Sequence, residues 1–128
     1  MLEGINSIYI CGPMRGYPED NYPAFNMAAG RMRNMGYPVV NPAETVGKLT
    51  FLGYMKIDLG HVCDVDALIA LDGWQESEGA LIEMFNAIYF GKKVYAYTGF
   101  GKISFSTINS AMQAYLEAHP EQVLSGGE

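Results

Sequence analysis

Glu83 is the residue whose type and surroundings most invite chemistry. It stands alone among apolar neighbours in residues 80–90 (ALIEMFNAIYF), the only charged residue past the first turn of the helix that this run predicts. At helical spacing its companions are Gly79, Ala80 and Ala87, all small, whereas Leu81, Phe85, Ile88 and Tyr89 read as the apolar stripe. A carboxylate on a small-residue face leaves room for a ligand, and partial desolvation equips it to act as a nucleophile or base. By composition alone, a solvated helix glutamate fits equally.

Other side chains along the chain share that ambiguity. Asp58 falls mid-helix between Ile57 and Leu59, where aspartate is a mediocre helix former, which hints at a role beyond folding. Asp64 and Asp66 flank the start of an apolar run and are explained by turn formation, while Asp72, before Gly73, suits a turn or a ligand. In residues 9–16 (YICGPMRG), Gly12 lets the backbone approach a ligand closely, and Arg15 is able to hold a phosphate through a bidentate pair. A glycine-rich turn with a surface arginine explains the same residues, and the run is neither a P-loop nor a dinucleotide fingerprint. Ser77 suits the N-cap of the Glu83 helix, and a helix start with free amides is also an anion site.

The elements that must position these residues alternate in type. Residues 7–11 (SIYIC) read as a buried strand broken by Gly12-Pro13, and a helix capped by Asn21 runs from Pro23 to Gly36. Residues 37–40 form a second strand, 52–62 a helix, 67–71 (ALIAL) a third strand, and 93–97 (KVYAY) a fourth after the Glu83 helix. Residues 106–118 form a last helix, and the terminal SGGE is expected to fray. This alternation predicts one α/β domain over residues 1–128, Rossmann-like (flavodoxin-like), with an open parallel sheet of four to five strands and helices on both faces. Ligands of such sheets bind beyond the carboxyl ends of the strands. The loops expected there, 12–22, 41–52 and 72–78, hold most of the unusual residues.

Composition narrows the function classes. A hydrophobic fraction of 49% with 17% charged residues describes an ordinary globular protein. A net charge of -6 with eight Lys and Arg supplies no basic stripe for a DNA or RNA polymer. No apolar run approaches the roughly 20 residues that span a bilayer, and the N-terminus lacks the basic region of a secretory signal. Cys11 and Cys63 stand alone and far apart, which fits a reducing cytoplasm. His61, Cys63 and His119 lack metal-ligand spacing, so neither a metal nor another cofactor is expected.

Together, four ordered motifs resemble the nucleoside 2-deoxyribosyltransferases and the related 2-deoxynucleoside 5-phosphate N-hydrolases. They are Tyr9-x-Cys11-Gly12-x-x-Arg15-Gly16, Asp58-Leu59, residues 67–70 (ALIA), and Ser77-x-Gly79-x-x-x-Glu83, spread over nearly the whole chain. Residues 12–33 together with NPAE (41–44) also look like a less characterised, often phage-encoded branch.

The resemblance implies that Glu83 is the nucleophile at the anomeric carbon, that Asp58 orients the sugar and helps protonate the departing base, and that Tyr9 lies beside the nucleophile. It implies a 5-phosphate pocket from Arg15, Ser77 and backbone at Gly12, Gly16 and Gly79, with Arg15 favouring a monophosphate. It also implies a homo-oligomer in which a neighbouring subunit completes the site, a role for Ser106 or Asn109. The expected activity is cleavage or exchange of the N-glycosidic bond of a (deoxy)nucleotide, through an oxocarbenium-like state. A non-catalytic module that binds or sequesters a nucleotide is the alternative from another class. An enzyme cleaving NAD-like or sugar-nucleotide glycosidic bonds is a third.

Overall fold

Four short strands form one parallel sheet: β1 (Ile8–Cys11), β2 (Val39–Val40), β3 (Ala67–Ala70) and β4 (Lys93–Ala96). The computed structural model describes residues 2–47 and 49–121, so the terminal SGGE lies outside the described residues. The strand order is β2-β1-β3-β4, as in flavodoxin-like sheets, and the architecture is α/β and Rossmann-like. β1 and β3 are buried along their whole length, which is why they read as unbroken apolar runs rather than as alternating ones.

Helix α1 (Tyr22–Asn34) covers one face, packing Phe25, Ala28 and Met32 on Ile8, Ile10, Ala67 and Ile69. Helices α2 (Phe51–Asp64), α3 (Glu78–Tyr89) and α4 (Phe105–Ala118) cover the other, where Val62, Leu81, Met84, Ala87 and Ile108 meet Tyr9, Cys11, Leu68 and Ala70. The two-residue alternation of the strands thus sends Tyr9 toward α3 and its neighbours Ile8 and Ile10 toward α1. The connection through α1 steps one way from β1 to β2, and α2 carries the chain back past β1 to β3. The switch point falls between β1 and β3, where a crevice opens at their carboxyl ends.

Local chemistry sets the helix starts. Thr50 caps α2 by accepting from the Gly53 amide at 3.0 Å, Ser77 caps α3 by accepting from Ala80 at 3.1 Å, and Ser104 caps α4 by accepting from Thr107 at 3.2 Å. Asn21 departs from the expected cap: it is left-handed at φ 61°, and its side-chain amide donates to the Pro13 carbonyl at 2.8 Å instead. Glu19, Asp20 and Asn21 form three consecutive left-handed residues without a glycine, in a 3-10 turn that precedes α1. Two further short turns, Pro42–Glu44 and Trp74–Glu76, were not expected either. The second carries Trp74 into the core beside α3 and α4.

The buried stripe of α3 is also rotated from the expected one. Ala80, Leu81, Met84 and Ala87 lie in the core together with Glu83, whereas Tyr89 is 79% exposed and Phe85 and Ile88 are half-buried. The aromatic side runs toward α4, where the Phe85 and Phe105 rings lie 5.6 Å apart, so the small-residue side is the one the sheet receives. The outer edge of β4 is occupied by residues 101–103, which return antiparallel: Ala96 N donates to Gly101 O and Ile103 N to Val94 O, each at 2.8 Å. That pairing removes an open edge.

Candidate active site

All three loops expected at the carboxyl ends of the strands contribute to one cavity of about 450 Å³. This is a volume suited to a small organic ligand. At its floor, β1 delivers Tyr9, α2 delivers Asp58 and α3 delivers Glu83. The Tyr9 hydroxyl donates to Glu83 Oε2 at 2.9 Å, joining residues 74 apart in sequence.

Glu83 is 5% exposed and Asp58 8%, and together with Asn41 they are the buried polar or charged residues of the described chain. Burial, then the neighbouring Asp58 charge, pushes the Glu83 carboxyl well above the usual glutamate range, and the Tyr9 hydrogen bond opposes this. Asp58 is raised by burial, while Glu83, Tyr9 and the charge of His61 pull it down. Tyr9 and Cys11 are pushed up as well, first by burial and then by Glu83. Two carboxyl groups in one desolvated place cannot both ionise cheaply, so the pair is built to hold a proton between them. Asp58 Oδ1 is fully buried without a hydrogen-bond partner. Such an atom is costly to leave bare, and it lies on the wall of a cavity able to admit a ligand.

The small companions of Glu83 do what their size suggests. Ala80 and Ala87 lie in the core, and Gly79 lines the cavity one turn before Glu83; a Cβ there would meet only Phe51, at 3.9 Å. Gly12 lines the cavity too, but its lack of a side chain has a second cause. A Cβ at Gly12 would lie 2.8 Å from the Leu71 Cβ, so the glycine lets β1 turn across the end of β3. Gly16 takes φ +85° on an exposed turn, a backbone shape that favours glycine.

The mouth combines Arg15 with the N-terminus of α3. Arg15 is exposed, its guanidinium lies over the Phe51 ring at 5.6 Å from the centroid, and among the described residues it has no ion pair. Ser77 lines the cavity and caps α3 at once, so the structural and ligand-facing readings of that residue are compatible. Ser106 and Asn109 lie on α4 and do not line this cavity: Ser106 is exposed and Asn109 half-buried. Asp66 and Asp72 bond across the fold rather than within their own turns: Asp66 accepts from the Asn6 amide at 2.7 Å and Asp72 from the Thr98 hydroxyl at 3.1 Å.

Sequence reasoning passed over several lining residues. Tyr17 and Asp20 come from the left-handed loop, Tyr22 from the start of α1, Phe51 and Tyr54 from α2, and Tyr115 from the far helix α4. The density of tyrosine in residues 17–22 (YPEDNY), inside a loop already placed at the crevice, was a usable signal. Tyr115 had none, because only the packing of α4 brings it there. Asp58, Glu83 and any third His, Cys or acidic side chain among the described residues form no cluster able to hold a metal ion.

The family model described as a domain of unknown function (DUF4406) matches residues 6–96, more than half of the chain and every residue of the floor. The chain belongs to that family. No curated protein matches it.

Proposed function

We propose that this member of the DUF4406 family cleaves or exchanges the N-glycosidic bond of a (deoxy)nucleoside 5-monophosphate, with Glu83 as nucleophile. The observation that carries this reading is the buried pair of Glu83, held by Tyr9, and Asp58, whose Oδ1 is unpartnered, at the floor of a cavity of mononucleotide scale. The resemblance of the Tyr9–Gly16 and Ser77–Glu83 motifs to the nucleoside 2-deoxyribosyltransferases supports the same assignment.

In the proposed reaction the positive charge developing at the anomeric carbon favours the ionised form of Glu83, so the shared proton rests on Asp58. The Glu83 carboxylate meets that carbon as the bond to the base breaks. Its negative charge stabilises the positive charge that develops on the sugar and then traps it as a glycosyl ester. The electron pair of the broken bond goes to the base, and Asp58 delivers the proton that a neutral base needs to leave. Water, or a second base, then attacks the same carbon and returns the electron pair to Glu83. Tyr9 fixes one carboxylate oxygen so that the other is free to react. Arg15 and the capped start of α3 receive the phosphate.

Two further parts of the proposal concern the protein's surroundings. Its cysteines are both free, Cys11 buried and Cys63 exposed, in keeping with work on small molecules in the cytoplasm. A homo-oligomer in which Ser106 or Asn109 reaches the neighbouring cavity is the arrangement the family resemblance favours.

The test is release of free base from a panel of deoxynucleoside and ribonucleoside monophosphates, by the native protein and by Glu83→Ala. Release by the native protein alone is expected. If the native protein releases no base from any of them, the glycosidase reading fails. If it binds nucleotides tightly and Glu83→Gln leaves that binding untouched, a sequestering module takes its place.

A further inference from the structure

We propose that the base of the substrate is itself cationic, a pyridinium or an N-alkylated purine joined to the sugar through its charged ring system. The inference rests on the glycosidase reading above and names the substrate class of the same site. Its ground is the charge of the cavity wall: among the described residues that line it, five carry carboxyl groups, Asp20, Asp58, Glu76, Glu78 and Glu83, against one guanidinium, Arg15. Glu76, Glu78, Arg15 and Tyr115 line this one cavity, so charges of both signs share its wall. A single arginine suffices for one phosphate but leaves the wall strongly acidic. A polyphosphate would meet repulsion there, whereas a mononucleotide with a cationic base presents one group to each sign of charge.

The floor points the same way independently of the mouth. Asp58 Oδ1 is buried without a partner beside Glu83, where a positive charge at the glycosidic bond would meet both carboxyl groups. Tyr17, Tyr22 and Tyr54 line the same wall, and aromatic rings attract flat cations. The chemistry also becomes simpler. The C1′–N bond breaks, its electron pair quenches the ring charge, and the base leaves neutral without needing a proton. A Glu83 oxygen bonds to C1′; water then bonds to C1′, the ester electron pair returns to Glu83, and the proton of the water passes through the carboxyl pair to solvent. The ring cation compensates the second charge of the pair, so Asp58 acts here as an ionised partner of the cation and then as a proton acceptor.

The experiment compares two ligands of equal size that differ in ring charge. They are the carbocyclic analogue of nicotinamide mononucleotide, which has no cleavable glycosidic bond, and its 1,4-dihydro form. Calorimetric titration of the native protein is expected to give about tenfold tighter binding of the cationic form, a preference set by desolvated charge and ring-face attraction. The preference is expected to shrink in the double variant Glu76→Gln, Glu78→Gln and in Asp20→Asn. Equal affinity overturns the proposal, as does a preference that survives undiminished when Asp58→Asn and Glu83→Gln are added to those three changes, because ring-face attraction alone would then explain it. The glycosidase reading is judged separately by the base-release panel. Turnover of neutral nucleotides without any cationic preference in binding removes this substrate class and leaves that reading standing.

Discussion

At the scale of single residues, the site is governed by a carboxylate held where a charge is expensive. Because the folded Glu83 pKa lies above its unfolded value, its contribution to stability is fully present below the unfolded range near about 4.3 and is lost as pH rises through the folded pKa. Asp58, Tyr9 and Cys11 are the titratable groups facing it, and Asp58 follows the same sign. Glu83→Gln keeps the oxygen that accepts from Tyr9 and removes the ionisation. Thermal or urea unfolding is expected to show no gain at pH 4 and a gain of about 1–3 kcal/mol by pH 8, the scale of a buried polar group left uncompensated. A gain that does not change with pH would refute the raised pKa. The same variant is expected to lose base release by at least about 10³-fold, as when a nucleophile that acts in a unit is removed. Since the Tyr9 bond pulls the Glu83 pKa down, Tyr9→Phe should move the acidic limb of the pH–rate profile to higher pH. An unmoved limb would mean that Tyr9 serves only packing. Sequence alone offered Glu83, its small companions and the odd placement of Asp58. Residue types and spacing could not show that the three side chains meet, which the family resemblance alone implied, because Tyr9 and Glu83 are 74 residues apart and the parallel pairing of β1 with β3 brings them together.

At the scale of elements, helix starts and strand ends do most of the positioning. Ser77 fixes the first turn of α3, and with it the direction of Glu83. Ser77→Ala is expected to cost about 1 kcal/mol of stability, and a loss under about 0.3 kcal/mol in denaturant titrations would show that the cap is dispensable. Gly12→Ala drives a Cβ against Leu71 and is expected to cost about 1–3 kcal/mol, read from the unfolding midpoint. Full stability in that variant would mean that the β1 turn yields freely. Element types and order were legible because apolar runs of strand length alternate with longer helical patterns. The Asn21 cap was misread because a side-chain amide near a helix start has two competitors, the helix amides and a nearby carbonyl. Here the Pro13 carbonyl, brought close by the left-handed turn, takes it. The rotated face of α3 had a similar cause: large apolar residues suggested the core side, yet a helix lying close on a sheet presents its alanines.

For the whole molecule, the sheet order could be anticipated only as a class, and the covering of the β4 edge by residues 101–103 is a tertiary event with no local signature. The proposal of a shared site is tested at this scale. If Ser106 or Asn109 serves a neighbouring cavity, two inactive variants, Glu83→Gln and Asn109→Ala or Ser106→Ala, should regain activity when mixed and reassembled. For a dimer the recovery is roughly a quarter of native activity, since half of the random pairs carry one intact site. No recovery, or a fully active α4 variant, would confine the site to one chain.

Trp74 gives the molecule a consequence of another kind. It is the single tryptophan, buried in the turn that leads directly to Ser77, and that turn packs against α4 and against α3, the helix that carries Glu83. The protein therefore contains its own optical probe: indole emission reports solvation of one place, three residues from the cap of α3. Ligand seating at that helix start and opening of the surrounding core should alter its colour and intensity in different ways, so occupancy and unfolding are readable in unlabelled protein.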